Sequence, residues 1–334
     1  MTRGVIRYGL GVLVSAAAIV AIGAQVDARE VVTALRGAAI GGIVVAVGLV
    51  VVEVVLRAMR WQLLLRPIHA VPLRTAFGYL CIGYFANAIL PARLGDVTRA
   101  YLAGTAFGIR RTTTLGTILV ERVSDGLLML ATVLAIGWTL RESASLFGYA
   151  ALILLAGAAM TAILLLSLAG LRRSRVSGTS WWSLTERVLA RLWAGTAALR
   201  RARSAIGILL LTVVAFAMAV VILMTVAGSL GAALSPAEGV LATAGLALSL
   251  SIPAAPGALG TYELVGMTIL AGMGVPREQA LAIVVIHHAV VLIPPTLIGI
   301  VATWVFQVRV SDAASAADEI DQPGESSIPP ESVR

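Results

Sequence analysis

Apolar runs long enough to cross a bilayer recur along this chain, and they constrain its fold more than any other feature of the sequence. A transmembrane helix needs about 20 mostly apolar residues. Hydrophobic residues make up 59% of the 334 residues and charged residues only 13%, whereas soluble chains average about 45–50% and about 25%. We therefore expect an all-α, polytopic membrane protein rather than a soluble protein with a large core.

The charge and the cysteine content exclude several other classes of protein. All 25 basic residues are arginines and the net charge is +8, which in so apolar a chain favours a membrane over a nucleic acid as the partner. A single cysteine, Cys81, excludes a disulfide or a cysteine-based metal site within one chain. The charged start and the apolar run at residues 10–24 are typical of a signal peptide, but the polytopic pattern that follows favours a retained first helix.

Two similar strings interrupt the apolar sequence, Pro91-Ala-Arg-Leu-Gly95 and Pro256-Gly257-Ala-Leu-Gly260. Proline removes a backbone donor and glycine admits a positive φ, so each string is expected to break a helix. Backbone broken at membrane depth is tolerated only where protein or a water-filled cavity supplies hydrogen bonds. Matched breaks in the two halves of a chain are typical of a transporter's binding site.

The rest of the pattern predicts six spanning helices and two re-entrant helical hairpins, one around each break. If the N-terminus is cytoplasmic and each hairpin enters and leaves by one face, 17 arginines are cytoplasmic and four are outside. Those four are Arg29, Arg36, Arg141 and Arg277. The positive-inside rule favours this arrangement, with the first hairpin entering from the cytoplasm, the second from outside, and both termini cytoplasmic. A full crossing at the first break would instead place the basic stretch at residues 172–203 outside.

The predicted membrane domain covers residues 1–308 and contains a candidate inverted repeat. The two breaks are 165 residues apart, from Pro91 to Pro256, and this offset pairs residues 37–140 with residues 205–307 in opposite orientations. The alternative is chance, because the shared string is short and the chain is rich in Leu and Gly. Residues 172–204 are predicted to be a cytoplasmic amphipathic segment, and the acidic residues 309–334 a disordered tail.

Six charged residues lie close together in otherwise apolar sequence: Arg93, Asp96, Arg99, Glu121, Arg122 and Asp125. A charge at the bilayer centre costs about 2.5–3.5 kcal/mol, so these residues should be paired or face a polar cavity. The guanidinium group suits a phosphate-bearing headgroup, which gives a substrate-binding interpretation. A structural salt-bridge network that locks the hairpin against the next helix is the other interpretation, and the two are compatible.

Four further positions are candidates for binding the same substrate or for shaping its site. Asn87 could cap the broken helix or bind a headgroup, and Glu263 could cap a half-helix or take part in substrate or proton coupling. His287 corresponds to Arg122 at the offset of 165 and is expected to line a polar cavity. Its neighbour His288 is adjacent rather than one helical turn away, so no metal site is expected.

Three residues near the end of the second apolar segment have helical spacing, Arg57, Arg60 and Trp61. Long basic side chains and an aromatic ring suit the membrane–water interface, and we place them there. No hydrolase, nucleotide or zinc signature is present, so no catalytic residue, metal or cofactor is expected.

Taken together, these pieces resemble the lysylphosphatidylglycerol synthase transmembrane-region family of flippase-like membrane proteins. The resemblance covers about residues 1–308. The matching motifs are Arg57-Ala-Met-Arg60-Trp61, Asn87-x-x-Leu-Pro91-x-Arg93-x-Gly95-Asp96-x-x-Arg99, Glu121-Arg122-x-x-Asp125 and Pro256-Gly-x-Leu-Gly260-x-x-Glu263. The family commonly has Glu at the position of Asp96 and Arg at the position of His287. Some members also carry a soluble aminoacyl transferase domain, which this sequence lacks.

The resemblance implies a protein of the bacterial cytoplasmic membrane that moves, or helps to move, lipids with polar headgroups. The expected partner is a membrane phospholipid or a polyprenyl-phosphate-linked lipid. One alternative is a membrane scaffold or regulator of an envelope glycosyltransferase or lipid synthase. Another is an intramembrane lipid-modifying enzyme that uses Glu121, Asp125 and His287.

Overall fold

The computed structural model describes residues 2–90, 94–139, 195–250, 252 and 254–308. Of these residues, 2–8 and 137–139 are described by their backbone alone. Within these ranges the chain is all-α, with ten α-helices and no strand. They are α1 (Thr2–Gly23), α2 (Ala28–Arg36), α3 (Ile40–Leu65), α4 (Leu73–Ile89), α5 (Gly95–Phe107), α6 (Arg111–Thr139), α7 (Ala202–Ser229), α8 (Pro236–Ser249), α9 (Thr261–Gly272) and α10 (Arg277–Val305).

Several predictions fall on residues outside these ranges. Pro91 and Arg93 of the first break are among them, as are the span predicted at about residues 146–171 and the acidic tail. Most of the predicted amphipathic segment at residues 172–204 also lies outside the described residues. Its end holds a 3-10 turn at Ala197–Arg200 and the first residues of α7.

Three of the described helices, α3, α7 and α10, are long and apolar enough to cross a membrane. They have 26, 28 and 29 residues, so each is longer than the ~20 residues that a span requires. The stretch Gly9–Gly23 and α2 pass the same test together but are bent by 88°, which gives up to four spans in the described part of the chain. The prediction of a multi-pass α-helical membrane protein is confirmed, while the total of six spans stays a prediction.

Local sequence signals explain where the shorter helices begin and end. Ser235 caps α8 through a capping box with Glu238, and proline at the first position of that helix needs no backbone donor. Pro72 and Pro276 directly precede α4 and α10. Gly108 ends α5 in the left-handed conformation with φ 63°, which glycine adopts without steric cost.

One side of the helix bundle is marked by the start of α3, the end of α7 and the start of α10. The backbone N–H of Ala39 donates to the carbonyl of Ser229 at 2.7 Å, and the Gln279 side chain donates to the carbonyl of Leu230 at 2.8 Å. The α8–α9 pair follows directly after α7 and ends just before α10. Both ends of that pair therefore lie on this side, which we call the α7-end side.

The opposite side is marked by the end of α3 and the end of α10. Leu65 at the end of α3 packs in one apolar cluster with Val71, Leu102 of α5 and Ala302 of α10. Val71 precedes α4, and Leu102 lies in the second half of α5. Both ends of the α4–α5 pair therefore lie on this second side, which we call the α3-end side.

The largest apolar cluster of the described residues joins α3 and α4 to the four helices from α7 to α10. It includes Ile222 and Leu223 of α7, Leu270 of α9 and Ile283 of α10, all nearly inaccessible to solvent. In the contact between α4 and α10, a Cβ atom at Gly299 would collide with the backbone of Cys81. Glycine at position 299 thus lets these two helices approach closely.

Candidate functional site

Eight charged side chains on α3, α5 and α6 form one network, which we call the arginine–carboxylate network. Its members are Glu53, Arg57 and Arg60 on α3, Asp96 and Arg99 on α5, and Glu121, Arg122 and Asp125 on α6. Four guanidinium groups thus face four carboxylates. This pairing is expected, because an isolated charge in an apolar environment costs free energy.

Arg60 and Arg57 connect α3 to α6. Both terminal nitrogens of Arg60 donate to the Asp125 carboxylate, and one of them also donates to the Thr212 hydroxyl of α7 at 3.1 Å. Its Nε lies 3.6 Å from Glu121. Arg57 donates to Glu53 at 2.6 Å and lies 3.8 Å from Asp125.

Arg99 and Arg122 connect α5 to α6. Arg99 donates to Glu121 at 2.6 Å and to Asp96 at 3.3 Å, and its guanidinium lies 4.9 Å from the centre of the Trp61 ring. Such stacking adds a cation–π attraction to the ion pair. Arg122 donates to both carboxylate oxygens of Asp96, so that two independent bridges join these helices.

The network has a buried part and an exposed part. The Arg60, Arg99 and Glu121 side chains are only 3–5% exposed, whereas the Arg122 side chain is 55% exposed and that of Asp96 is 32% exposed. Removing one member of a buried pair is costly, but an exposed pair contributes little. The buried pairs are therefore suited to hold the helices together, and the exposed Arg122 is the guanidinium best placed to exchange its partner.

A small cavity of about 20 Å³ lies within the network. Its lining consists of network residues together with residues of α4: Arg57, Arg60, Leu80, Gly83, Tyr84, Asn87, Asp96, Arg99, Glu121 and Arg122. A volume of this size holds about one water molecule. The cavity is therefore too small for a phosphate group in this structure.

Asn87 links the two helices of the first hairpin. Its side-chain oxygen accepts a hydrogen bond of 2.8 Å from the backbone N–H of Gly95, the first residue of α5. It therefore satisfies one of the backbone donors that a helix start leaves unpaired. A Cβ atom at Gly95 would collide with the carbonyl oxygen of Gly83 and with the Asn87 side chain, so glycine is needed for this close approach.

The second break contains a 3-10 turn at Pro256–Ala258 and two glycines with positive φ. These are Gly257 with φ 72° and Gly260 with φ 85°. The Glu263 carboxylate accepts the backbone N–H of Gly260 at 2.6 Å, and its other oxygen lies 2.5 Å from Nδ1 of His288. Glu263 thus caps the start of α9 and also ties it to α10.

His287 makes a second polar contact between α9 and α10. Its Nδ1 lies 3.0 Å from the hydroxyl of Tyr262, and the Tyr262 ring stacks on His288 at 4.2 Å between centroids. His287 is 5% exposed, and its helix neighbours Ile283 and Val290 belong to the large apolar cluster. In each half of the chain, two polar contacts therefore join the short helix after the break to the long helix that follows.

The prediction that places Arg60 and Trp61 at the membrane interface is wrong. Arg60 is 2% exposed and Trp61 is fully buried, with its indole N–H donating to Thr117 at 3.2 Å. The charge of Arg60 is satisfied by Asp125 rather than by water or lipid headgroups. Arg57 also belongs to the network, although its side chain remains 26% exposed.

Sequence reasoning also missed three polar side chains at the network: Glu53, Tyr84 and Thr212. Glu53 could have been found, because Glu53, Arg57 and Arg60 are spaced i, i+4 and i+7 and so share one helix face. Nothing in the sequence around Tyr84 or Thr212 distinguishes them from other polar residues in apolar helices. Only the packing of α4 and α7 against α3 brings them to the site.

Among the residues that the structure describes, no group of three or more His, Cys, Asp or Glu side chains is placed to hold a metal ion. The site's chemistry is that of guanidinium groups, carboxylates and a few hydroxyls. Such groups can bind and release an anion without any cofactor.

The fold and the site define a class of protein: a multi-pass α-helical membrane protein with an internal arginine–carboxylate network. The chain belongs to the family described as lysylphosphatidylglycerol synthase TM region, whose model matches residues 9–299. Membership of this family associates the chain with lipid metabolism or transport. A search of curated proteins finds no match to it.

Proposed function

We propose that this protein is a flippase-like transporter that moves a lipid with an anionic or phosphate-bearing headgroup across the bacterial cytoplasmic membrane. The observation that carries the proposal is the exposed Arg122–Asp96 pair at the edge of a network with three further arginines. A phosphodiester carries one negative charge, as the Asp96 carboxylate does, and it also offers two oxygen atoms to a guanidinium group. The headgroup would replace Asp96 at Arg122 while its alkyl chains stay in the bilayer.

The buried arginines would act after this exchange. Arg99 already contacts Asp96 as well as Glu121, so it can share an anion held by Arg122. Because the cavity holds only about one water molecule, passage of the headgroup requires the α4–α5 pair to move relative to α6. Asn87 and Gly95, which join α4 to α5, would keep that pair together as one moving unit.

The transport proposal includes an inverted repeat of residues 37–140 and 205–307 with two re-entrant hairpins. Two features support it. First, the α4–α5 pair begins and ends on the α3-end side, whereas the α8–α9 pair begins and ends on the α7-end side. Second, the helix contacts of one half are repeated in the other. Exchanging the halves replaces α3, α4 and α6 by α7, α8 and α10. Accordingly, α4 packs on α10 and α8 packs on α6, while α3 packs on α7. A repeat of this kind places its site between the halves, near the bilayer midplane.

The proposed orientation within the membrane rests on the arginines at these two sides. Arg66, Arg74, Arg110 and Arg203 lie next to helix ends on the α3-end side, and Arg29, Arg36 and Arg277 lie at the α7-end side. The positive-inside rule then makes the α3-end side cytoplasmic, with both termini there.

The direct test is lipid translocation by the purified protein in proteoliposomes. We expect Arg122→Gln to abolish movement of a labelled anionic phospholipid, because the exposed guanidinium that exchanges its partner is lost. Arg74→Gln, which removes an exposed arginine outside the network, is the matched control and should transport normally. Equal transport by both variants would remove the proposed role of Arg122.

A second candidate function is a scaffold or regulator of an envelope glycosyltransferase or a lipid synthase. The observation that favours it is the balance of four guanidinium groups by four carboxylates, which also suits a purely structural network. Purified protein that moves no lipid but retains such an enzyme through purification would favour this candidate. We propose no catalytic role for the chain itself.

A further inference from the structure

A second cavity lies outside the arginine–carboxylate network, where the end of α3 meets the start of α7. It has a volume of about 370 Å³ and is lined by Arg66, Pro67, Arg201, Arg203 and Ser204. Binding pockets for small molecules are typically about 300–1,000 Å³. The cavity is thus large enough for a polar headgroup, unlike the cavity within the network.

The charge of this cavity is not balanced by the described part of the chain. Arg66, Arg201 and Arg203 line it together, all three are exposed, and none forms an ion pair with a carboxylate among the described residues. This contrasts with the network, where each arginine has a carboxylate partner. Three neighbouring guanidinium groups with a nearby serine hydroxyl have the chemistry to bind an anion with several oxygen atoms.

The position of the cavity indicates which kind of molecule carries that anion. It lies at the end of one membrane-spanning helix and the beginning of another, where both leave the apolar region. Basic pockets between transmembrane helices at the membrane surface bind the headgroups of anionic lipids. Along α7, Ile206 and Leu210 follow Arg203 on the same helix face and are 58% and 59% exposed, which provides an apolar surface for acyl chains.

We propose that this cavity binds the headgroup of an anionic phospholipid, which stays associated with the protein as a bound lipid. The guanidinium groups of Arg66, Arg201 and Arg203 hold the phosphate, and the acyl chains lie against Ile206 and Leu210. The site is separate from the network and does not depend on the transport proposal. Because the lipid contacts both α3 and α7, it stabilises the packing of these two helices. The hydrogen bond from Arg60 to Thr212 joins the same helices.

The experiment uses the full chain in nanodiscs that contain phosphatidylglycerol and phosphatidylcholine, with retained lipids counted by native mass spectrometry after gentle release. The test variant is Arg66→Gln/Arg201→Gln/Arg203→Gln. The matched control is Arg29→Gln/Arg36→Gln/Arg277→Gln, which removes three exposed arginines at the other side of the bundle. Thermal unfolding in lipid-free detergent shows whether both variants fold as the unaltered protein does.

We expect the test variant to bind phosphatidylglycerol about a hundredfold more weakly, since each arginine near an anionic membrane contributes roughly fivefold in affinity. The control should retain the lipid as the unaltered protein does. Equal retention by test variant and control, with both folded, would overturn the proposal.

A second arm separates a lipid from free phosphate. Ile206→Asn/Leu210→Asn should weaken the retention of phosphatidylglycerol but leave any binding of inorganic phosphate unchanged. If inorganic phosphate displaces the lipid completely and the apolar substitutions have no effect, the cavity is a site for a free oxyanion and the lipid assignment is wrong.

Discussion

Arg122 and Asp96 meet through three hydrogen bonds of 2.8 to 3.1 Å, although 26 residues separate them in the sequence. The pair joins α6 to the first turn of α5, directly after the first break. Its Arg122 side chain is more than half exposed, so water and ions reach the contact. An exposed ion pair of this kind contributes little stability, so another anion can replace its carboxylate at little cost.

The first prediction concerns the competition between Asp96 and the headgroup. In Asp96→Asn, Arg122 loses its competing carboxylate, so we expect the protein to retain an anionic lipid about tenfold more tightly, equivalent to about 1.4 kcal/mol. Release should become slower, and translocation in proteoliposomes should therefore fall. Native mass spectrometry and a translocation assay measure the two effects. Glu30→Gln, an exposed change on α2, is the control, and weaker retention in Asp96→Asn would contradict the exchange mechanism.

The second prediction contrasts the buried pair with the exposed pair. Arg99→Met leaves the Glu121 carboxylate without its closest partner, at a side-chain exposure of 5%, and should lower the free energy of unfolding by about 3–5 kcal/mol. Arg122→Met removes an exposed partner and should cost at most about 1 kcal/mol. Thermal unfolding in detergent measures both.

The double variant Arg99→Met/Glu121→Leu tests the reason for that loss. It removes both charges, so most of the stability should return. A double variant as unstable as Arg99→Met alone would show that the cost comes from lost packing rather than from an unpaired carboxylate.

The third prediction concerns the close approach inside the first hairpin. Gly95→Ala places a methyl group against the Gly83 carbonyl and the Asn87 side chain, and should destabilise the protein by about 1–3 kcal/mol. Gly126→Ala on α6 is the matched control, because nothing lies within 4 Å of its added Cβ atom. That change should be neutral or stabilise by up to about 1 kcal/mol. Equal unfolding temperatures for the two variants would contradict the described packing.

The fourth prediction concerns the two hairpins and uses single cysteines in a Cys81→Ser background. Cysteines at positions 74 and 110 flank the α4–α5 pair, and cysteines at positions 235 and 277 flank the α8–α9 pair. If both pairs are re-entrant, a membrane-impermeant thiol reagent should reach the first two sites from the cytoplasmic face. It should reach the other two sites only from the opposite face. Labelling of positions 74 and 110 from opposite faces would mean that the first pair crosses the membrane completely.

Residue types and spacing anticipated much of the site. Asp96, Arg99, Glu121, Arg122 and Asp125 were predicted to be paired because isolated charges are costly in an apolar chain, and each has a partner of opposite charge. The partners themselves were not predicted. Arg122 and Asp125 are spaced i, i+3, which allows a contact on one helix face. The structure instead pairs Arg122 with Asp96, and Asp125 with Arg60 and Arg57.

Arg60 illustrates why the partners escaped prediction. Its position near the end of an apolar helix favours the membrane interface. Whether such a side chain faces lipid or protein depends on which helix packs beside it, and here α6 and α7 supply Asp125 and Thr212. Similarly, the sequence left open whether Asn87 caps a helix, and only its contact with Gly95 shows that it does.

The amino-acid sequence by itself determined that this protein is a multi-pass helical membrane protein, because the length and polarity of each segment fix which backbone can lie in a bilayer. It also predicted the two breaks, between α4 and α5 and between α8 and α9, since proline and glycine act on the backbone locally, although α10 continues through Pro294 and Pro295. The tertiary structure alone decided which charges meet, that Trp61 lies beneath Arg99, and that one cavity is shared by three arginines that have no carboxylate partner in the described part of the chain. Those relationships depend on how helices distant in sequence pack together, and no local pattern encodes that packing.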